Sequence, residues 1–415
     1  VSHDPGRGAP SSLTARFPAL RHRDLALLLG GQLVSLTGTQ MQQVAVVWQL
    51  YLFTRSPWAL GLLGLFRVLP LIVFALGGGV VADVFDRRRL MIATQSTLAL
   101  VSVALAVLSA TGAAGAWALY AAAALTGAAA AFDGPARQAL LPLLVPREDL
   151  PSALALSAFV WQIATVVGPA VGGVVLAWTG VVPIYALDAA SFLAVIGALL
   201  AMRHRAPPRS GAAVGLSAVL EGLRFMRRAP IIRTTMLLDF VATFFGGSML
   251  LMPIFADQLL AVGPRGLGLL YAAQPAGAAL AGLVLSSRGV PRRQGLAVLV
   301  SVAAYGLAVA VFGASRWFPL SLLALAASGA ADTVSMVIRQ TLRQLLTPDA
   351  LRGRMTSINM IFFAGGPQLG EVEAGAVARA FGARVSVASG GLLCVVAVAA
   401  TALLAPSLRR YESAR

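Results

Sequence analysis

The chain has 415 residues, 58% of them hydrophobic and 12% charged, with a mean hydropathy of +0.82. That is more apolar surface than a water-soluble domain can bury, so lipid is its solvent, and at roughly twenty apolar residues per crossing there is room for about twelve spanning helices and no sizeable soluble domain. The net charge of +16 would suggest nucleic acid in a soluble protein, but the chain has no lysine and its arginines sit mostly in short connections between apolar runs. That pattern sets membrane topology and excludes a nucleic-acid partner.

The polar stretch 1–24 carries Arg7, Arg16, Arg21 and Arg23. The apolar run after it is too long for a signal-peptide core, so it reads as a cytoplasmic tail. Apolar runs predict helices at roughly 25–53, 58–81, 90–111, 116–140, 152–178 and 183–202, a first bundle over 25–202. A connection over 203–230 follows, then helices at roughly 231–260, 266–287, 295–314, 318–343, 355–378 and 384–405. These form a second bundle over 231–405, with a cytoplasmic tail over 406–415. With both termini inside, Arg87 to Arg89, Arg147, Arg203 to Arg228, Arg288, Arg292, Arg293, Arg352, Arg354, Arg409, Arg410 and Arg415 fall on the cytoplasmic side. Only Arg55, Arg265, Arg316, Arg379 and Arg384 fall opposite, the asymmetry expected of a bacterial inner-membrane protein in that orientation.

Within the connection, Leu216, Val219, Leu220, Leu223 and Met226 alternate at helical spacing with Glu221, Arg224, Arg227 and Arg228. This is the pattern of an amphipathic helix on the membrane surface, serving either as a plain linker or as a lipid-sensing element. The single Cys394 excludes an internal disulfide and a cysteine metal cluster. His3, His22 and His204 all lie in tails or loops, so no intramembrane histidine relay or haem ligation is expected. No cofactor or metal is expected. Neither HExxH, a nucleophile elbow nor GxxxxGK[ST] occurs, which argues against an enzyme and a nucleotide-driven pump.

The two bundles repeat one another. Arg137-Gln-Ala-Leu-Leu-Pro-Leu-Leu-Val-Pro146 matches Arg339-Gln-Thr-Leu-Arg-Gln-Leu-Leu-Thr-Pro348 at six of ten positions. Gly168-Pro169-Ala170-Val171-Gly172 has its counterpart in Gly366-Pro367-Gln368-Leu369-Gly370. Two six-helix bundles in parallel repeat, with a cavity between them, are the transporter arrangement this implies.

At the end of the second helix, Gly79-Val-Val-Ala-Asp83-Val-Phe-Asp86-Arg87-Arg88-Arg89 resembles the signature loop of the major facilitator superfamily. It departs from that pattern at Val84, where a basic residue is common, and at Asp86, where glycine is. The resemblance covers nearly the whole chain and is closest to the proton-coupled exporters of drugs and siderophores. It implies a monomer of twelve spanning helices that exports a small amphipathic molecule against inward proton movement. It also implies a cytoplasmic gate built from Gly79, Asp83, Arg87 and Arg88. Gly168, Pro169, Gly172 and Gly173 resemble the helix-five motif of superfamily antiporters, and read either as a hinge that seals the outer gate or as packing alone.

Charge inside a bilayer costs on the order of 3 kcal/mol even on the permissive scale, so each such residue needs a partner or a task. Arg67 lies roughly 13 Å into the second helix and serves either an anionic substrate or an ion pair with a helix-eleven glutamate. Asp133 with Arg137, and Asp332 with Arg339, share helix faces on the fourth and tenth helices, which line the cavity in this superfamily. The two arginines read as inner-gate ion pairs, the two aspartates as gate partners or titrating carboxylates. Asp239, near Phe244, Phe245 and a Gly246-Gly247 bend, is the first proton-coupling candidate and Glu371 the second. Glu373, two residues on, points to nearly the opposite face. The first helix is unusually rich in glutamine, and Gln43 and Trp48 are expected to contact substrate or to pack within the bundle.

Overall fold

The computed structural model describes residues 18–84, 86–203, 224–247, 249–348 and 352–412, with side chains over 18–74, 86–203, 224–247, 249–348, 355 and 366–412. The predicted helices of the first bundle form as α1 (Arg23–Thr54), α2 (Pro57–Val84), α3 (Arg87–Ala110), α4 (Ala116–Leu140), α5 (Leu150–Thr179) and α6 (Val181–Ala201). Those of the second form as α7 (Pro230–Gly246), α8 (Gly263–Arg288), α9 (Gln294–Ala314), α10 (Phe318–Leu346), α11 (Arg352–Phe381) and α12 (Ala383–Leu404). Ten helices among the described residues are long and apolar enough to cross a membrane. The first helix falls outside those ten because of its row of glutamines, of which Gln32, Gln42 and Gln49 are buried. Large apolar side chains such as Leu100, Trp117, Leu193, Leu280 and Leu403 point outward, the inverse of a water-soluble protein and the surface that lipid solvates.

Packing repeats from one bundle to the other. In the first, α1 packs on α5 and α6, α2 on α4, and α3 on α4 and α6; in the second, α7 packs on α11 and α12, α8 on α10, and α9 on α10 and α12. Close approach is made by glycine in equivalent places: Gly127 of α4 meets the Arg67 carbonyl of α2, and Gly329 of α10 meets the Gln274 carbonyl of α8. The short loop after α2 also has a local cause. Asp86 caps α3 by accepting from the Arg88 and Arg89 amides at 2.9 and 3.1 Å, which accounts for an acid where glycine is common. Arg88 reaches across to the end of α6, donating to the carbonyls of Leu200 and Met202, and so satisfies two groups that the helix end leaves open.

One predicted helix is broken. The run expected over 231–260 stops at Gly246 and continues as a 3-10 turn at Met249–Leu251, a helical turn at Met252–Ile254 and a π turn at Phe255–Leu259. Gly246 lies against the Tyr305 ring and Gly247 against the Pro367 carbonyl, so two close contacts force the bend. The Tyr271 hydroxyl donates to the freed Met249 carbonyl at 2.9 Å, as a break inside a bilayer requires. The expected amphipathic helix of the connection lies mostly outside the described residues; its last turn at 224–228 is helical, with Met226 packed against Ile232, Met236 and Met355.

The bundles meet chiefly through α2 with α11 and α5 with α8. Both crossings are glycine on glycine: Gly61 against Gly375, and Gly173 against Gly268. All four glycines lie toward the helix ends remote from the chain termini, so the halves are closed on that side, the outer one if the termini are cytoplasmic as the arginine pattern predicts. There the Arg55 guanidinium and the Tyr51 hydroxyl of α1 both donate to Asp257 of the second half, each at 2.6 Å, and Gln258 donates to the Tyr51 hydroxyl. This cluster is partly exposed and screened by solvent, so its charge component is small. Asp257→Asn is therefore expected to loosen this closure only slightly, measured as modestly faster labelling of a Gln43→Cys variant by an impermeant maleimide added from the side remote from the termini.

Candidate functional site

A cavity of about 290 Å³ lies between the two bundles, below the glycine crossings. Thr39, Gln40 and Gln43 of α1, Arg67 of α2, Tyr271 of α8 and Glu371 of α11 contribute its polar wall, set among Val44, Val47, Leu63 and Leu250. A second hollow of about 160 Å³ extends along the first bundle toward the termini, past Gln95, Asp133 and Arg137. An apolar chamber with a few placed polar groups suits a small amphipathic ligand.

Arg67 and Glu371 reach this chamber from opposite halves. Their charges interact at a distance, yet no nitrogen–oxygen separation falls within 4.0 Å, and neither side chain has a hydrogen-bond partner among the described residues. The expected internal ion pair is thus not formed. The Glu371 carboxylate lies on Gly64, one turn from Arg67 on the same helix, where any side chain would collide with it. A cation from one half and a carboxylate from the other therefore stand open across the cavity, and a ligand or a closing movement can bridge them.

The other expected residues are distributed around this centre. Gln43 is in the wall. Trp48 is not: it is buried with its ring against Tyr51, at a centroid distance of 5.8 Å. Five residues rotate a helix by about 500°, which turns Trp48 well away from the face of Gln43, while Val47 at the fourth position stays beside it. Glu373 is not part of the cavity wall, as its opposite-face spacing requires. Asp133 is buried, pairs with Arg137 at 2.6 Å and accepts from Thr94 and Gln95 at 3.1 and 2.9 Å.

In the second half Arg339 makes the expected contact with Asp332 and adds a closer one. Arg339 lies 2.7 Å from Asp239 of α7 and 3.8 Å from Asp332 on its own helix. Asp239 is therefore held in an inter-helix ion pair with Arg339, away from the central cavity wall.

Gly168 and Gly172 pack on Gln40 and Met41 of α1, whereas Gly173, with the Pro169 carbonyl, packs on Gly268 of the other half. The motif thus joins the cavity helix to the outer closure. The side chains of Gly79 and Asp83 lie outside the described residues; Arg87 is buried, and Arg88 holds α6 as described above. Two further groups escaped the sequence reading: the Tyr51–Arg55–Asp257 cluster, and a buried carboxylate, Asp188, inside α6. Asp188 was detectable as the one acidic residue in the run 183–202.

Two repeated six-helix bundles enclosing a polar chamber define a membrane transporter of the major facilitator superfamily. More particularly, the chain belongs to the transmembrane secretion effector family, whose model matches residues 14–415. It is 28% identical over 401 residues to the enterobactin exporter EntS of Shigella boydii serotype 18, a match covering 97% of this chain and 95% of that protein. The enterobactin exporter EntS of Escherichia coli O81 matches to the same extent, again at 28% over 401 residues. Among solved structures, a bacterial homolog of the human lysosomal transporter Spinster, inward-facing and unoccupied, superposes with a TM-score of 0.73 at 15% identity, covering 95% of this chain and 99% of that one. A bacterial homologue of the iron transporter ferroportin gives 0.67 at 15% identity, covering 91% and 98%. At that identity the likeness is one of fold. The chain is a multi-pass membrane transporter of a small molecule, not an enzyme.

Proposed function

We propose that this protein exports a small amphipathic molecule across the bacterial inner membrane, exchanging it for protons by alternating access between its two bundles, as a monomer with both termini cytoplasmic. The observation that carries the reading is the pair of open, opposite charges, Arg67 and Glu371, presented to one chamber by different halves. A carboxylate without a fixed cation can be satisfied by a proton or by a basic or hydrogen-bond-donating group of the substrate, and competition between the two is what antiport requires. Arg67 supplies the attraction for an anionic group, Gln40 and Gln43 supply amide hydrogen bonds, and the apolar wall takes the rest of the ligand. Relatives named as enterobactin exporters support the export direction and a siderophore as one substrate to test. The arginine-rich connections support the cytoplasmic placement of both termini.

Glu371 is the first coupling residue in this reading, because it faces the cavity unpaired, and Asp239 the second, because Arg339 already neutralises it. Asp133 and Asp332 with Arg137 and Arg339 act as gate ion pairs on the termini side. The Asp83 to Arg88 loop takes the part of cytoplasmic latch in the outer-open state. Everted vesicles with an acidified lumen and a pH-sensitive dye test this, with enterobactin, macrolides and lipophilic cations added in turn. Proton release from the lumen on adding one class is expected, at least tenfold lower for Glu371→Gln and reduced by a smaller factor for Asp239→Asn. Uptake of a labelled compound into the vesicles with no proton movement would replace antiport by uncoupled transport.

A further inference from the structure

We infer that Asp188 is a second proton-binding site, one helix layer behind the cavity wall and loaded through Thr39. It lies in α6, roughly 10 Å from the outer end of that helix, and is fully buried. Its Oδ2 is 2.7 Å from the Ser102 hydroxyl of α3 and its Oδ1 is 3.4 Å from the Thr39 hydroxyl of α1. Thr39 itself lines the central cavity, so a single side chain separates the carboxyl from the chamber.

The hydrogen bonds of Ser102 close when Asp188 carries a proton. Ser102 receives an amide hydrogen from Gln42 at 2.7 Å and has its own backbone acceptor, the Leu98 carbonyl, at 3.0 Å. An Asp188 Oδ2–H then fills the remaining lone pair of Ser102, which uses its one donor and both acceptors. Thr39 likewise has a backbone acceptor, the Ser35 carbonyl at 3.0 Å, and the Ser191 hydroxyl, which also meets the Asp188 carboxyl, has the Asp188 backbone carbonyl at 2.7 Å. Ionising Asp188 would require the Ser102 and Thr39 hydroxyls to swing away from those carbonyls toward the carboxylate. Because Thr39 and Gln42 belong to the cavity wall, the protonation state of Asp188 sets which hydrogen-bonding groups the chamber presents.

No cation competes for the site. The helices packed on α6 carry ionisable side chains only near their ends, apart from tyrosine: Arg23 and Asp24 in α1, Arg87 to Arg89 in α3, and none in α5. These stand roughly 20 Å along the helix axes from Thr39 and Ser102. Tyr185, one turn away on α6, is committed to Gln49 at 2.7 Å. Along α3 toward the termini the next carboxylate is Asp133, reached through Gln95 and tied to Arg137. The second bundle has no carboxylate at the matching place in α12, so the site belongs to the first half alone.

The role of this site in transport rests on the antiport reading above, whereas its occupancy does not, and the test separates the two. The probe is the proton itself. Infrared difference spectra of the reconstituted full-length protein, taken on shifting the buffer from mildly acidic to mildly alkaline, are expected to show loss of a protonated-carboxyl carbonyl band. That band should be absent in Asp188→Asn, which keeps a donor toward Ser102 and mimics the loaded form. In Thr39→Val, which leaves the carboxyl in place and removes its link to the chamber, the band should remain but respond at least tenfold more slowly. Identical spectra for wild type and Asp188→Asn would overturn the proposal, as would an unchanged response rate in Thr39→Val if the asparagine variant does not fold. A titrating Asp188 band in protein whose vesicles show no substrate-driven proton movement keeps the site and removes the antiport reading instead.

Discussion

Gly173→Val is expected to stop transport while leaving the protein folded and inserted. A methyl group at Gly173 would fall 2.6 Å from Gly268 Cα and 2.7 Å from the Pro264 carbonyl oxygen, both backbone atoms that cannot swing aside. The crossing of α5 and α8 must then part by about 1 Å, and overpacking of this kind costs about 1 to 3 kcal/mol. Because the crossing joins the two halves, that cost falls on the outer-closed state and not on either bundle. The outer-open population should rise between about fivefold and a hundredfold. The check is labelling of Gln43→Cys, a cavity position, by an impermeant maleimide from the outer side, against a low background because the native Cys394 is buried. Gly282→Val on α8, the partner helix of the crossing, where an added side chain meets nothing within 4 Å, should label and transport as the parent does. If Gly173→Val and Gly282→Val behave alike, the glycine crossing is not part of the outer closure.

The second large effect concerns stability. Arg339 is buried and Asp239 largely so, 2.7 Å apart, with side-chain exposures of 8% and 13%. Removing the arginine leaves a largely buried carboxylate without its nearest partner and with only the more distant charge of Arg343, a change that costs up to about 3 to 5 kcal/mol. Arg339→Ala should therefore lower the thermal midpoint in detergent sharply and reduce membrane yield. Adding Asp239→Ala to it should recover most of the loss, because deleting both charges removes the unpaired group as well as the attraction. The equivalent arginine of the first half is less demanding: Arg137 is one-quarter exposed, and its partner Asp133 keeps hydrogen bonds from Thr94 and Gln95. Arg137→Ala is thus expected to cost less than half as much. A double variant no better than Arg339→Ala alone would show that the pair is not the source of the loss.

The contrast between Trp48 and Gln43 shows where sequence reading ended. Both were visible as polar or amphipathic residues in the first helix, but which side of a helix faces a cavity depends on rotation against its neighbours. Gln49 resembles a cavity residue as well, yet it is buried in contacts inside the first bundle, with Ser109 and Tyr185. Asp239 was legible as a charged residue in an apolar run, while its partner on α10 was not, because sequence spacing pairs Arg339 with Asp332 on its own helix. The break at Gly247 was marked by two glycines. The irregular turns that follow it depend on Tyr271 and Tyr305 from other helices.

Membrane-length apolar runs, the arginine-rich connections and the repeated Arg-Gln and Gly-Pro segments determined by themselves that this is a two-bundle transporter. Hydropathy and charge asymmetry act locally: each helix satisfies its own backbone in lipid before it meets another. What only the tertiary structure decided is which side chains meet across helices. The open Arg67–Glu371 pair, the glycine crossings that close the outer side, the Arg339–Asp239 bridge and the buried Asp188 cluster all depend on helix rotation and on contacts between residues far apart in the chain, and no period along a single helix encodes them.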